Sequence, residues 1–299
     1  MGPVFVDIVF ADLDADPAPG REVYAGRWAF EPGGFAITAI TLARLGRPCA
    51  LATVMGTDPL ADVIVGRLAD EGVDTSSVVR RDEGTSVTVA VAYRADRSFI
   101  TRRGLEGAAA WQRSLEAALE RGCTHLHVSA FHPDVEAILA AAAAAGRSTS
   151  LAVGWNEPQL RSEGLRRCMA DATLTAMNEA EALAISGEGD VERAIDALAG
   201  RARWLLVTLG PRGSVLAHGE RRWRAPASPS RPVDTTGAGD VFAASLLVAA
   251  GRGMDEDAAL GYAARIAARA VEHLGGAAGV PMERGDGAAV AVSADPTAS

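Results

Sequence analysis

"VDTTGAGDVFAASLLVAA" occupies residues 233–250, and its first half is chemically unlike its second. Asp234 and Asp240 bracket Thr235, Thr236, Gly237, Ala238 and Gly239. An almost wholly apolar helical run follows at once. Glycines let the backbone turn its N–H groups inward with no Cβ in the way. A helix starting near Ala238–Gly239 adds its dipole and its free amides. Together these features make an anion hole. Asp240 at its end would repel an anion, so it does not serve as a ligand for one. It fits a base that takes a proton from an alcohol whose oxygen attacks a bound phosphorus. The chemistry read from this stretch is phosphoryl transfer to a hydroxyl.

The rest of the chain supplies the frame. Short apolar runs at 4–10, 49–56, 124–130, 148–154, 171–177 and 204–210 read as strands. Runs with helical spacing lie at 34–46, 59–72, 133–146, 179–186 and 190–200. This alternation predicts an α/β fold, with a mostly parallel central sheet flanked by helices on both faces. Two stretches break the rhythm. Residues 12–32 carry Pro17, Pro19 and Gly20 before "EVYAGRWAFE". Residues 84–102 read as a hairpin turning at "RADR". They are expected to form a small β lid. Val87, Val89 and Val91 alternate with Thr88, Ala90 and Ala92, so both faces of that hairpin are nearly apolar. One face is expected to cover the acceptor, and the other to pair lids in a homodimer. Residues 1–283 are expected to be one α/β domain, and 284–299 a loose tail.

Composition narrows the class. The 299 residues are 48% hydrophobic and 22% charged, with a net charge of -9, which suits an enzyme and argues against nucleic acid or an anionic membrane as partner. Cys49, Cys123 and Cys168 show no metal or disulfide spacing. "MGPVFVDIVFADLDADP" lacks a basic leader and its apolar run is broken by Asp7 and Asp12, so it reads as a strand, and the expected compartment is the cytoplasm. His125, His127 and His132 read as packed or hydrogen-bonded rather than metal-binding.

Other stretches suit the same chemistry. In "VTLGPRGSVLA" (207–217), Thr208, Gly210 and Gly213 let a nucleotide lie against the backbone. In "TAMNEAEALAISG" (175–187), Asn178 and Glu181 share one face of a helix start. They could hold magnesium through water or simply cap the helix. Asp12, Asp14 and Asp16 follow the first strand, and Gly33–Gly34 open the next helix. These suit a sugar, by accepting its hydroxyls and by allowing close approach to the backbone.

In this order the motifs resemble the ribokinase-like (PfkB) family of carbohydrate kinases, over roughly residues 4–280. The resemblance implies ATP as donor, magnesium, and a potassium-like ion near the anion hole. By that resemblance Asp240 is the catalytic base, with Gly237, Ala238 and Gly239 as the anion hole. Asn178 and Glu181 match the magnesium and phosphate motif, and Thr208, Gly210 and Gly213 the nucleotide loop. Asp16, Gly33 and Gly34 match the sugar site, and Asp234 and Thr236 the monovalent-ion site. The chain departs from the family's pattern at Thr38 and Asp14, where Asn is usual, and at Ala152 and Gly154, near the phosphates. The expected acceptor is a small sugar or sugar derivative. A nucleoside is the alternative, with Phe35, Phe131 and Trp155 as an apolar wall. A catalytically silent sugar-binding protein is a third reading. A phosphorylated sugar would call on Arg102 and Arg103.

Overall fold

The computed structural model describes residues 1–93, 96–104 and 111–283. The turn expected at "RADR" falls partly, and the 284–299 tail wholly, outside the described residues. Six strands form the main sheet: β7 (His125–Ser129), β8 (Ser148–Ala152), β9 (Leu174–Asn178), β10 (Trp204–Thr208), β11 (Ser214–His218) and β12 (Arg221–Ala225). They lie in the order β12-β11-β10-β9-β8-β7. The run β7 to β10 is parallel, and β11 and β12 are antiparallel.

Both faces of the sheet are covered, as the uninterrupted apolar strands require. In β10, Trp204 and Leu206 join one core cluster while Leu205 and Val207 join the other. The first cluster holds α1 (Phe35–Arg44), α2 (Pro59–Asp70), α9 (Ala238–Gly251) and α10 (Glu256–Ala270). The second holds α4 (Val135–Ala144), α6 (Glu163–Asp171), α7 (Glu179–Ser186) and α8 (Val191–Ala199). Val241 through Ala249 are all buried. A helix apolar all round has to lie inside the protein, and α9 packs between α1 and α10.

The stretches expected to form a lid do share a sheet, but they do not pair with each other. Its order is β2-β1-β5-β6, with β1 (Val4–Leu13) between β2 (Ala25–Gly34) and β5 (Val87–Tyr93), and β6 (Asp96–Arg102) at the edge. The first strand therefore extends past residue 10 and is one of the sheet's two inner members. It is antiparallel to β2 and parallel to β5. Side chains alternate across it. Val6, Ile8 and Phe10 share a face with Val87, Val89 and Val91, while Asp7 and Val9 share the other with Thr88 and Ala90. A separate strand pair, β3 (Thr53–Gly56) with β4 (Val78–Arg81), flanks α2. Asp58 caps α2 through Ala61 N and also accepts bonds from Thr85 N (2.7 Å) and Thr85 Oγ1 (2.9 Å), tying that helix to the start of β5. Helices α3 (Trp111–Glu120), α5 (Glu157–Leu160), α6 and α10 complete the chain; none of the four is marked by the periodicity read above.

Candidate active site

The site is built at the carboxyl ends of the parallel strands, where open α/β sheets place ligands. Thr208, the last residue of β10, pairs with Asn178, the last of β9. Beyond β10 a 3₁₀ turn, Gly210–Arg212, leads into β11. Gly210 has φ 58° with nothing near the place of a Cβ, so its outer side is open. Gly213 is held by structure as well: a Cβ there would collide with the carbonyl oxygen of Ala225.

Asn178 caps α7, and the cap is reciprocal. Glu181 N donates to Asn178 Oδ1 at 2.9 Å, and Asn178 N donates to Glu181 Oε2 at 2.8 Å. Glu181 is 5% exposed. Burial, with Asp240 adding to it, pushes its pKa up to about 7, against the opposing bond from Asn178 N. Such a carboxylate sits better beside a cation. A hard divalent ion held through water suits this donor set, so the cap and the metal role are compatible.

Gly237 caps α9 in the left-handed region, φ 68° and ψ 6°. A Cβ on it would stand 2.5 Å from Ile37 Cδ1 of α1. Val241 N bonds Gly237 O at 2.9 Å. The amides of Ala238, Gly239 and Asp240 thus belong to the helix's first turn, whose N–H groups have no acceptor within the helix; Ala238 N makes a long bond to Thr235 O, 3.3 Å, in the turn before it. Nothing lies within 4 Å of the place a Cβ would take on Gly239, leaving room for an anion there. The Asp234 carboxylate braces this loop, accepting from Thr236 N at 2.9 Å and Gly275 N at 3.0 Å. Asp240, in the first turn, is half-buried, and partial loss of water raises its pKa to about 7. A base poised near neutrality suits proton transfer from an alcohol.

The residue the sequence reading missed is Asp7. It is 8% exposed, lies on β1 opposite Glu31 and Thr88, and presses its carboxylate against Gly33. Burial first, then the charges of Asp234 and Asp240, lift its pKa to about 7. Asp7 therefore stands within electrostatic reach of the anion-hole loop. A single carboxylate within an apolar strand, "VFVDIVF", was the available signal. Asp16 is exposed and lies beyond Leu13, itself about 20 Å along an extended strand from Asp7. Gly33 and Gly34 instead pair with Phe5 and Val4, so the structure does not bring Asp16 to them. Gly34 has φ 61° and a Cβ there would meet the Pro3 carbonyl oxygen at 2.6 Å. It is what allows β2 to turn directly into α1.

Thr38 is 3% exposed, and its Oγ1 has no hydrogen-bond partner. It lines a cavity of about 440 Å³ between α1 and β7, together with Phe35, Cys49, Cys123 and His127. Phe35 is buried and packs on the His127 ring, with centroids 5.2 Å apart. Phe131 packs on the second core, whereas Trp155 is exposed. Both His125 ring nitrogens lie 2.8 Å from serine hydroxyls, Ser148 and Ser150, and His127 Nδ1 is 2.7 Å from Ser150. Arg102 is engaged by the carbonyls of Thr85 and Glu83, both at 3.0 Å, on the sheet face away from Asp7.

A mostly parallel sheet with an open helix start, and a near-neutral carboxylate in that helix's first turn, suits phosphoryl transfer, and the fold is that of the ribokinases. The chain belongs to the pfkB family of carbohydrate kinases, whose family model matches residues 3–283, and it is an ATP-dependent carbohydrate kinase. It is 27% identical to ribokinase of Bacillus subtilis (strain 168), over 94% of each chain. Fructokinase of Klebsiella pneumoniae is 30% identical, over 80% of this chain and 82% of its own. An E. coli protein named as a ribokinase II, solved with ATP and Mg2+, superposes with a TM-score of 0.78 at 26% identity, covering 95% of this chain and 94% of that one. The likenesses support ATP and Mg2+ use by the family and a small-molecule sugar or nucleoside as substrate. Among the described residues, no helix is long and apolar enough to cross a membrane.

Proposed function

We propose that the chain transfers the γ-phosphoryl group of ATP to a hydroxyl of a small sugar or sugar derivative. The observation that carries this is the placing of two carboxylates of raised pKa, Asp7 and Asp240, within reach of each other beside an open helix N-terminus. Asp7, with Gly33 and Gly34, holds the acceptor by its hydroxyls. Asp240 takes the proton of the reacting hydroxyl, whose oxygen forms the new bond to the γ-phosphorus as the bond to the β-phosphate oxygen breaks and ADP leaves. The amides of Gly237, Ala238 and Gly239 bear the charge that develops on the transferred group. Thr208, Gly210 and Gly213 back the nucleotide. Asn178 and Glu181 would hold magnesium through water, and that ion would neutralise phosphate charge. Asp234 and Thr236 brace the loop and suit a monovalent cation beside it, such as potassium. The reaction draws on cytoplasmic ATP, which is where we place it.

A sugar is favoured over a nucleoside because Phe35 and Phe131 are both engaged in packing. ATP consumption against a panel of sugars and nucleosides tests the reading. Turnover with one or more sugars is expected. Turnover with nucleosides alone would replace the acceptor class, and none with either would leave a silent sugar-binding protein.

A further inference from the structure

We infer that Arg44, paired with Glu71, is a positioning residue for the anion hole, acting through the 275–280 loop. The inference rests on the phosphoryl-transfer reading of the α9 end. Arg44 is the last residue of α1. One side of its guanidinium forks onto Glu71, with Nε 2.7 Å from Oε2 and Nη2 2.5 Å from Oε1. The remaining nitrogen, Nη1, donates to three carbonyls of one loop, sharing a hydrogen between two of them: Ala277 O at 2.9 Å, Ala278 O at 3.0 Å and Val280 O at 3.2 Å. The pair is largely buried, with 18% and 25% of the two side chains exposed. Only a planar, five-donor group can serve both partners at once.

The loop it holds packs against residues 234–237, which lead into α9. Gly275 N grips Asp234, and Asp234 grips Thr236 N. A Cβ on Gly276 would collide with Ile37 Cδ1 and stand 3.4 Å from Thr236 O. The same Ile37 methyl lies against Gly237, whose Cβ position is 3.5 Å from Gly276 Cα. Helix α1 thus holds the loop at two points, by Ile37 near its start and Arg44 at its end. Between them Gly237 is held in the left-handed conformation that aims the first amides of α9. Arg44 touches neither the cleft nor Asp240. Its effect has to pass through the loop.

Hydrogen exchange on the full chain tests this without any acceptor, with MgATP affinity as the second readout. Arg44→Met is expected to speed exchange at 234–239 and 272–280 about tenfold or more, and to weaken MgATP binding several-fold, since small displacements of binding groups are costly. Arg44→Lys should recover part of both. The control is Arg222→Met on the distant β11–β12 hairpin, where the arginine side chain is 21% exposed and is likewise paired, with Asp196. It should change neither. If Arg44→Met does not fold, Glu71→Gln decides, with the same signs and smaller size. Unchanged exchange at 234–239 in these variants overturns the inference alone. Faster exchange with unchanged MgATP affinity overturns the phosphate-site reading on which it rests.

Discussion

The carboxylate of Asp7, on β1, occupies the space that a side chain on Gly33 of β2 would fill. Gly33 is not at positive φ, so its role is space rather than backbone freedom. Gly33→Ala should displace Asp7 without unfolding β2. The acceptor KM is expected to rise about tenfold to a hundredfold, the equivalent of ~1.5–3 kcal/mol for a hydrogen bond to a charged group, with ATP KM little changed. Steady-state kinetics on the two variants Gly33→Ala and Asp7→Asn would check it. A rise confined to ATP would put the acceptor elsewhere.

Asp240→Asn keeps the shape of the helix start and removes the proton acceptor. Turnover should fall by about 10²–10⁴, with ATP affinity near that of the parent chain. A variant that retains most of its kcat on the true acceptor would take the base assignment away from Asp240.

Glu181→Gln retains an acceptor oxygen for Asn178 N, so α7 should stay capped. The charge is lost, and more magnesium should be needed for half-maximal rate. A magnesium titration superimposable on that of the parent chain would leave Glu181 as a helix cap only.

The pKa of Asp240, near 7, places an acid limb on the rate: kcat/KM should climb as pH rises through about 7 and level off once the carboxylate is ionised. Stability of the ligand-free protein responds to Asp7 with the opposite sign. Its folded pKa is about 7, against 3.8 for an ordinary aspartate. Between those values the folded state binds the extra proton, so the Asp7 contribution declines as pH rises from about 4 through 7. Thermal melts should show the parent chain losing more stability over that interval than Asp7→Asn. Equal slopes would mean Asp7 is ionised in the fold.

The valine face of the lid sheet is the one turned from Asp7. Beyond its contact with α2 it carries Phe10, Val89 and Val91, with Trp28 66% and Ile100 73% exposed. A second copy covering this strip is the expected arrangement. Light scattering should give a dimer at micromolar concentration and a monomer for Val89→Asp. A wild-type monomer at every concentration would remove the lid interface.

The readable part of this molecule was local. Strand and helix alternation, the start of α7 at Glu179 and the abrupt opening of α9 follow from periodicity and capping residues near in sequence. Non-local pairings left no such trace. Nothing in residues 4–10 tells that β1 will lie parallel to β5 some eighty positions later, so the place of β1 between the two lid stretches was not read. Asp7 was overlooked for a related reason. Alone among the apolar residues 4–10 it looks like an interruption, and only the packing of Gly33 and the nearness of Asp234 and Asp240 give it a purpose. Asp16 drew attention because carboxylates after a strand often face ligands, but the strand continues to Leu13 and carries that turn away. Arg44 and its loop are separated by more than two hundred residues, beyond any spacing argument.

Because Asp7 sits in an inner strand of the lid sheet, insertions and deletions are unequally tolerated along the chain. Adding or removing one residue between Val4 and Asp7 would reverse the strand's two sides from that point, sending the carboxylate toward the valine face and Val6 or Ile8 into the cleft. The same change after Leu13, in the exposed run that carries Asp16, would alter only the reach of a surface turn. Length variation in this lineage should therefore gather between residues 14 and 24, while the first ten positions keep their count even where their side chains drift.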